Sequence, residues 1–331
     1  MKQIHIATVL LLVITLTACN GKEKKTEEMT PEQAIEVISA KIHKNDQDDA
    51  LYYDRARLLM QVGRTNDAIV DLLHAIQLND DEADYHLCLA DAYFANGNVE
   101  KSYNALGRVL ELEPDNQEAI LKQGEVAYYS RDYDRALTSL SKVTERDPNN
   151  RRALHMKSFI YKEKGDTASA VQLLRKVCDI YPDFAPAFED LGVLYARHHD
   201  PLAIEYLSTA IRLDSNNANI MYALAMFYQE TANYTLAEET YKTLLAKWPN
   251  HKDAWHNRGY IEMMYNNDDD VAIEYFDRAL QCDSLFVEAY FSRGVAYESK
   301  GDRRRALDDF NHALAIDPTF LPAADGVKRC K

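Results

Sequence analysis

Between residues 49 and 320 the chain repeats one pattern of apolar and polar places. Laid out in blocks of 34 from Asp49, it has a small residue at the eighth place of each block: Ala56, Ala90, Gly124, Ser158, Gly192, Ala225, Gly259 and Gly294. About twelve residues on runs a second small column: Ala68, Ser102, Ala136, Ala170, Ala203, Ala237, Ala272 and Ala306. A column of large apolar residues follows: Leu72, Leu106, Leu140, Leu174, Leu207, Tyr241, Phe276 and Phe310. The register holds if the fifth block has 33 residues and the seventh 35. Each block contains two apolar runs at helical spacing with a short break between them, which predicts an all-α chain of helix pairs.

The break often carries glycine (Gly63, Gly97, Gly165, Gly301), which ends a helix in a left-handed cap. Blocks often close on proline: Pro114, Pro148, Pro182, Pro249 and Pro318. Proline stops the second helix and can open the next block's first helix. Small residues let two helices approach, and the large column fills space between blocks. One helix pair cannot bury its apolar face alone, so the blocks must stack.

These columns resemble the tetratricopeptide repeat family, whose signature runs Trp, Leu-Gly, Tyr, Ala, Phe, Ala, Pro. "AWHNRGY" (254–260) and "AYFSRGVAYESKGDRRRALDDFNHALAIDP" (289–318) carry it most closely. Eight repeats fit, at 49–82, 83–116, 117–150, 151–184, 185–217, 218–251, 252–286 and 287–320. Residues 31–48 read as a capping half-repeat, with Thr30 as N-cap, Pro31 at the first helical place and Gln33 closing a capping box. Residues 321–331 read as a C-terminal cap. The resemblance implies a right-handed superhelical solenoid with first helices on the concave face.

It also implies that places 2, 5, 9, 12 and 13 of each repeat look into a peptide groove. Those expected to matter most are Tyr53, Arg57, Phe94, Glu125, Tyr128, Tyr129, His155, Phe159, Tyr222, Met226, His256, Tyr260, Met263 and Phe291. Aromatic and methionine side chains suit an adaptable apolar groove, and the alternative for any one of them is packing against the next repeat. Some family members clamp a C-terminal carboxylate with Lys, Asn and Arg at these places. Here Tyr53 and Leu87 stand at place five of the first two repeats, so such a clamp is not expected.

Upstream of the repeats, Lys2 precedes an apolar stretch from Ile6 to Leu16, too short to span a bilayer. Leu16-Thr17-Ala18-Cys19 resembles the bacterial lipobox, which implies a signal peptide over 1–18 and a diacylglycerol on Cys19. The alternative is an uncleaved helix with a chance cysteine. Residues 19–30 are charged and read as a tether. Asn20 is not the aspartate linked to inner-membrane retention in enteric bacteria, so the resemblance favours the outer membrane, with the leaflet open.

Composition narrows the function. The formal charge is −15, and the run Arg303-Arg304-Arg305 is followed at once by Asp308 and Asp309, so nucleic acid is not an expected partner. The five cysteines (19, 88, 178, 282, 330) lack metal-ligand spacing and are expected mostly buried as small hydrophobes. Asp268–Asp270 and His198–His199 read as helix-start chemistry before metal sites, with Asp200 as N-cap and Pro201 at the first helical place. No catalytic motif is present, and no metal or cofactor is expected. Two readings follow. One is an envelope-anchored scaffold that holds proteins or peptides, as an assembly or adaptor factor. The other is a surface lipoprotein that assists glycan or nutrient capture. The oligomeric state is left open.

Overall fold

The computed structural model describes residues 29–331; the expected signal peptide, Cys19 and nearly all of the expected tether lie outside the described residues. Among the described residues there are eighteen α-helices, one π-helical turn and no strand. Among the described residues no helix is long and apolar enough to cross a membrane. The chain divides into two compact units that meet in sequence at Pro148 and Asn149.

The first unit contains α1 (Pro31–Ile42), α2 (Asp49–Gln61), α3 (Thr65–Leu78), α4 (Ala83–Ala95), α5 (Val99–Leu112), α6 (Gln117–Tyr129) and α7 (Tyr133–Arg146). The second contains α8 (Arg151–Glu163), α9 (Thr167–Ile180), α10 (Ala185–Arg197), α11 (Leu202–Leu213), α12 (Ala218–Glu230) and α13 (Tyr234–Lys247). It continues through α14 (Lys252–Ile261), a π-turn (Glu262–Asn266), α15 (Asp269–Cys282), α16 (Val287–Ser299), α17 (Arg303–Ile316) and α18 (Leu321–Cys330). In each unit, consecutive helices pack as antiparallel pairs and pairs stack on pairs.

Helix starts follow local chemistry. Thr30 and Gln33 close the expected capping box. Asn116, Asp132, Asn150, Asp166, Asp268 and Asp302 each accept the free N–H three residues on. The block-closing prolines stop the second helices but do not open the next ones: α5 ends at Leu112 before Pro114, and α6 starts only at Gln117. The first-turn prolines are instead Pro31, Pro186 and Pro322.

Every repeat turns from first to second helix through one left-handed residue. Gly63, Gly97, Gly165 and Gly301 supply four of them; Arg131, His199, Ala232 and Asn267 supply the rest at φ from 51° to 61°. The next residue's N–H reaches back to close the turn, as Asp132 N does to Ala127 O at 2.9 Å. Two turns absorb the irregular block lengths. At the short fifth repeat, Ala203 N bonds Asp200 O and Ile204 N bonds Pro201 O. Pro201 lies in the helical region, the Asp200 carboxylate accepts from Leu202 N at 2.9 Å, and α11 starts two residues past Asp200. At the long seventh repeat the extra residue enters the π-turn. Asp268 N then bonds Glu262 O, and the half-buried Glu262 is held by Asn266 at 2.8 Å.

Both small columns are buried, from Ala56 and Ala68 to Gly294 and Ala306. A β-carbon on Gly294 would lie 2.7 Å from Phe310, and one on Gly326 of α18 would too. The large column therefore fills space inside its own repeat as well as against the next one. Arg55 holds buried Asp71 through two bonds at 2.6 and 2.7 Å, and Arg293 holds buried Asp309 the same way at 2.6 and 2.8 Å. These pairs occupy the same places in the first and last repeats. Of the four described cysteines, all free, only Cys178 is buried. The expectation of mostly buried thiols fails because Cys282 and Cys330 sit in last turns that solvent reaches. Cys88 is half-buried, and burial pushes its thiol up to about 12.

Candidate functional site

In the first unit the sequence-derived groove residues gather into two groups on the first-helix face. Tyr53 lies on Tyr85 with ring centroids 4.9 Å apart, and the Arg57 guanidinium lies 5.6 Å over the Tyr53 ring. Burial pushes the Tyr53 phenol up to about 12. Further along, Phe94 of α4 meets Tyr129 of α6 at 5.2 Å, and Tyr129 meets Tyr128 edge-on at 5.4 Å. Tyr129 is 56% exposed, while Phe94, Tyr128 and Glu125 are half-buried. Behind this ridge, Lys122 bonds both Asp91 oxygens at 2.6 Å and reaches Glu118 at 3.3 Å.

The second unit shows a different rule. Three of its place-five residues contact place six of the following repeat: His155 with Asp190 at 2.8 Å, Tyr222 with Asn257 at 3.1 Å and His256 with Ser292 at 3.0 Å. Phe291 packs against Phe310 and Phe320. These four side chains are half-buried; the first three stitch repeats together, and Phe291 packs inside its own repeat. Phe159 meets His155 with its ring tilted and the centroids 4.6 Å apart, and lies under the Lys162 ammonium. Met226 lies with its sulfur 3.0 Å from the Asn257 amide. Desolvation holds the His256 imidazole below its ordinary value and lifts the Tyr222 phenol.

His155 and Asp190 form a base and orienter pair, but the Ser158 hydroxyl donates to the His155 carbonyl at 2.6 Å instead of to the ring. The geometry is therefore not that of a nucleophile triad. Among the described residues no cluster of three or more His, Cys, Asp or Glu could hold a metal. Asp268 caps α15 and Asp270 pairs with Lys300.

Asp190 and Asn257 were missed because the groove places carried over from the family do not include place six. Tyr265 was missed because it follows the groove places and the π-turn redirects it. It stacks on Tyr234 at 3.5 Å, stays 43% exposed and lies 6.4 Å from Tyr260, while half-buried Met263 packs beside the Phe276 cluster.

Models of the tetratricopeptide repeat match residues 56–97, 93–159 and 152–184. This is a tetratricopeptide-repeat fold. A further model, the N-terminal ARM repeat of tetratricopeptide repeat protein 21, matches 194–324. The solved C-terminal part of a repeat protein from Cytophaga hutchinsonii overlays at a TM-score of 0.62 and 20% identity, covering 74% of this chain and 99% of that one. Superkiller protein 3 of Schizosaccharomyces pombe is 30% identical over 145 residues, 41% of this chain and 10% of that one. The type IV pilus assembly protein PilF of Pseudomonas aeruginosa is 30% identical over 125 residues, 36% of this chain and 48% of that one. The chain thus spans a tenth of the first of these two relatives and about half of the second.

Proposed function

We propose that this protein is a non-catalytic scaffold of the bacterial cell envelope, lipid-anchored through Cys19, that binds protein partners on its first-helix faces. The observation that carries it is the Phe94–Tyr128–Tyr129 ridge, where an exposed ring stands on a rigid helix of a repeat fold. Exposed tyrosine on a fixed backbone is a favoured hot-spot side chain, because it offers contact area with little entropy to lose. The likeness to a pilus assembly protein supports an assembly or adaptor role. The lipobox supports the anchor and, with Asn20, the outer membrane.

Crosslinking and pull-down from intact envelopes test this reading. Specific envelope proteins should be recovered with the wild type and lost with Phe94→Ala plus Tyr129→Ala. Cys19→Ala should release a folded protein from the membrane fraction; a variant that stayed bound would refute the anchor. The glycan-capture reading draws on the exposed Tyr265. It predicts retention on immobilised glycan that Tyr265→Ala abolishes, with no protein partner.

A further inference from the structure

The first unit is far more acidic than the second. Between residues 29 and 148 acidic residues outnumber basic ones by 23 to 12, against 27 to 22 between residues 149 and 331. The first helices of this unit, α2, α4 and α6, contribute to that imbalance. They carry Asp49, Asp54, Asp84, Asp91, Glu118 and Glu125 against Arg55, Arg57 and Lys122.

The three cations are already engaged. Arg55 is turned into the repeat, where it holds Asp71 on α3. The Arg57 guanidinium lies over the Tyr53 ring. Lys122 is shared by Asp91 and Glu118, so that trio keeps a net negative charge. The Phe94–Tyr129 ridge therefore rises from a negative surface, and Asp91 lies one helical turn before Phe94 on the same helix.

An aromatic face with carboxylates around it attracts a cation twice. The ring quadrupole draws a guanidinium or ammonium over its face, and the carboxylates add a field that strengthens where water is excluded. An acidic peptide or a free C-terminal carboxylate meets repulsion from the same groups. Phe94 and Tyr129 also give an aliphatic neighbour of that cation an apolar seat.

We infer that the first unit's first-helix face selects a basic segment of a partner protein, with Lys or Arg over the Phe94–Tyr129 ridge and an adjacent apolar anchor. This rests on the peptide-binding reading above and adds the charge of the occupant.

The test uses the full chain and three labelled peptides read by fluorescence anisotropy: one of Lys and Leu, one with Glu in place of Lys, and one with Gln in place of Lys. The Lys peptide should bind and the Glu peptide should not. Binding should weaken about tenfold as salt rises from about 50 to about 200 mM. Tyr129→Ala should weaken it about fivefold or more, and Tyr265→Ala in the second unit should leave it unchanged. Equal binding of the Gln or Glu peptide, lost with Tyr129→Ala, would overturn the charge inference while the peptide face stands. Lys-peptide binding indifferent to Tyr129→Ala would overturn it as diffuse attraction. If no peptide binds and envelope capture survives Phe94→Ala plus Tyr129→Ala, the binding face itself is refuted.

Discussion

The Asn257 amide donates to the Tyr241 hydroxyl at 2.9 Å across the boundary between the sixth and seventh repeats. Tyr241 is fully buried at a place where the other repeats put leucine or phenylalanine. Its hydroxyl donates onward to Gln229 at 3.0 Å, and the second Asn257 hydrogen reaches Tyr222 at 3.1 Å. A buried polar atom left without a partner costs about 1–3 kcal/mol. Asn257→Ala and Tyr241→Phe should each destabilise the second unit by about that much. The double variant should cost less than their sum, because both remove the same bond. Urea unfolding followed by circular dichroism measures all three; strict additivity would show that the bond contributes nothing.

Four turns hold non-glycine residues in the left-handed region. That conformation costs roughly 1–2 kcal/mol for a residue with a β-carbon, partly offset by the extra freedom glycine has when unfolded. Arg131→Gly and Ala232→Gly should each stabilise by about 0.5–1 kcal/mol. Gly63→Ala, where φ is 77°, should destabilise by a similar amount. Thermal melting of the three variants gives the signs directly.

Phe310 is fully buried between Gly294 and Gly326. Gly326→Ala gains about 1 kcal/mol of helix propensity, but the new methyl would sit 2.7 Å from a ring with no room to move. Overpacking of that kind costs about 1–3 kcal/mol, so the variant should lose stability. The same change in a Phe310→Leu background should be tolerated, because Leu207 is followed by Ala223 at the matching place. Hydrogen exchange in α18 should report the difference between the two backgrounds.

His256 gives the second unit a pH dependence. Burial holds its folded-state pKa below the unfolded value near 6.5, against weaker opposing effects from Asn257, Glu288 and Asp253. The unfolded chain therefore binds the proton first. Its contribution is fully present above about pH 6.5 and is lost as pH falls from there through the folded pKa. His256→Gln should flatten the fall in unfolding midpoint between about pH 6.5 and 5, as measured in buffers of equal ionic strength.

The period and the two small columns were legible because each repeats eight times, and the glycine turns because four repeats carry glycine at the same place. Arg131 and Ala232 were not legible as left-handed turns, since neither residue type announces that conformation; only their register with Gly97 and Gly165 does. The π-turn was visible as one extra residue, but the placing of Tyr265 on Tyr234 was not, because a one-residue insertion has several ways to be absorbed. At the candidate site, Phe94, Tyr128 and Tyr129 come together on one face. His155, Tyr222 and His256 instead pack against the next repeat, since place five borders it, and Phe291 packs against Phe310 and Phe320 of its own repeat. Family places say which way a helix faces, and only the neighbouring repeat decides how much of a side chain remains open.

Asp49 with Tyr85, and His256 with Ser292, each reach across 36 residues of chain. With such ties joining one repeat to the next, each repeat can fold as soon as its immediate successor is available. A chain delivered from its N-terminus, by a ribosome or through a translocation pore, can therefore order itself progressively behind its growing end, holding little more than one repeat's worth of uncovered apolar surface at a time.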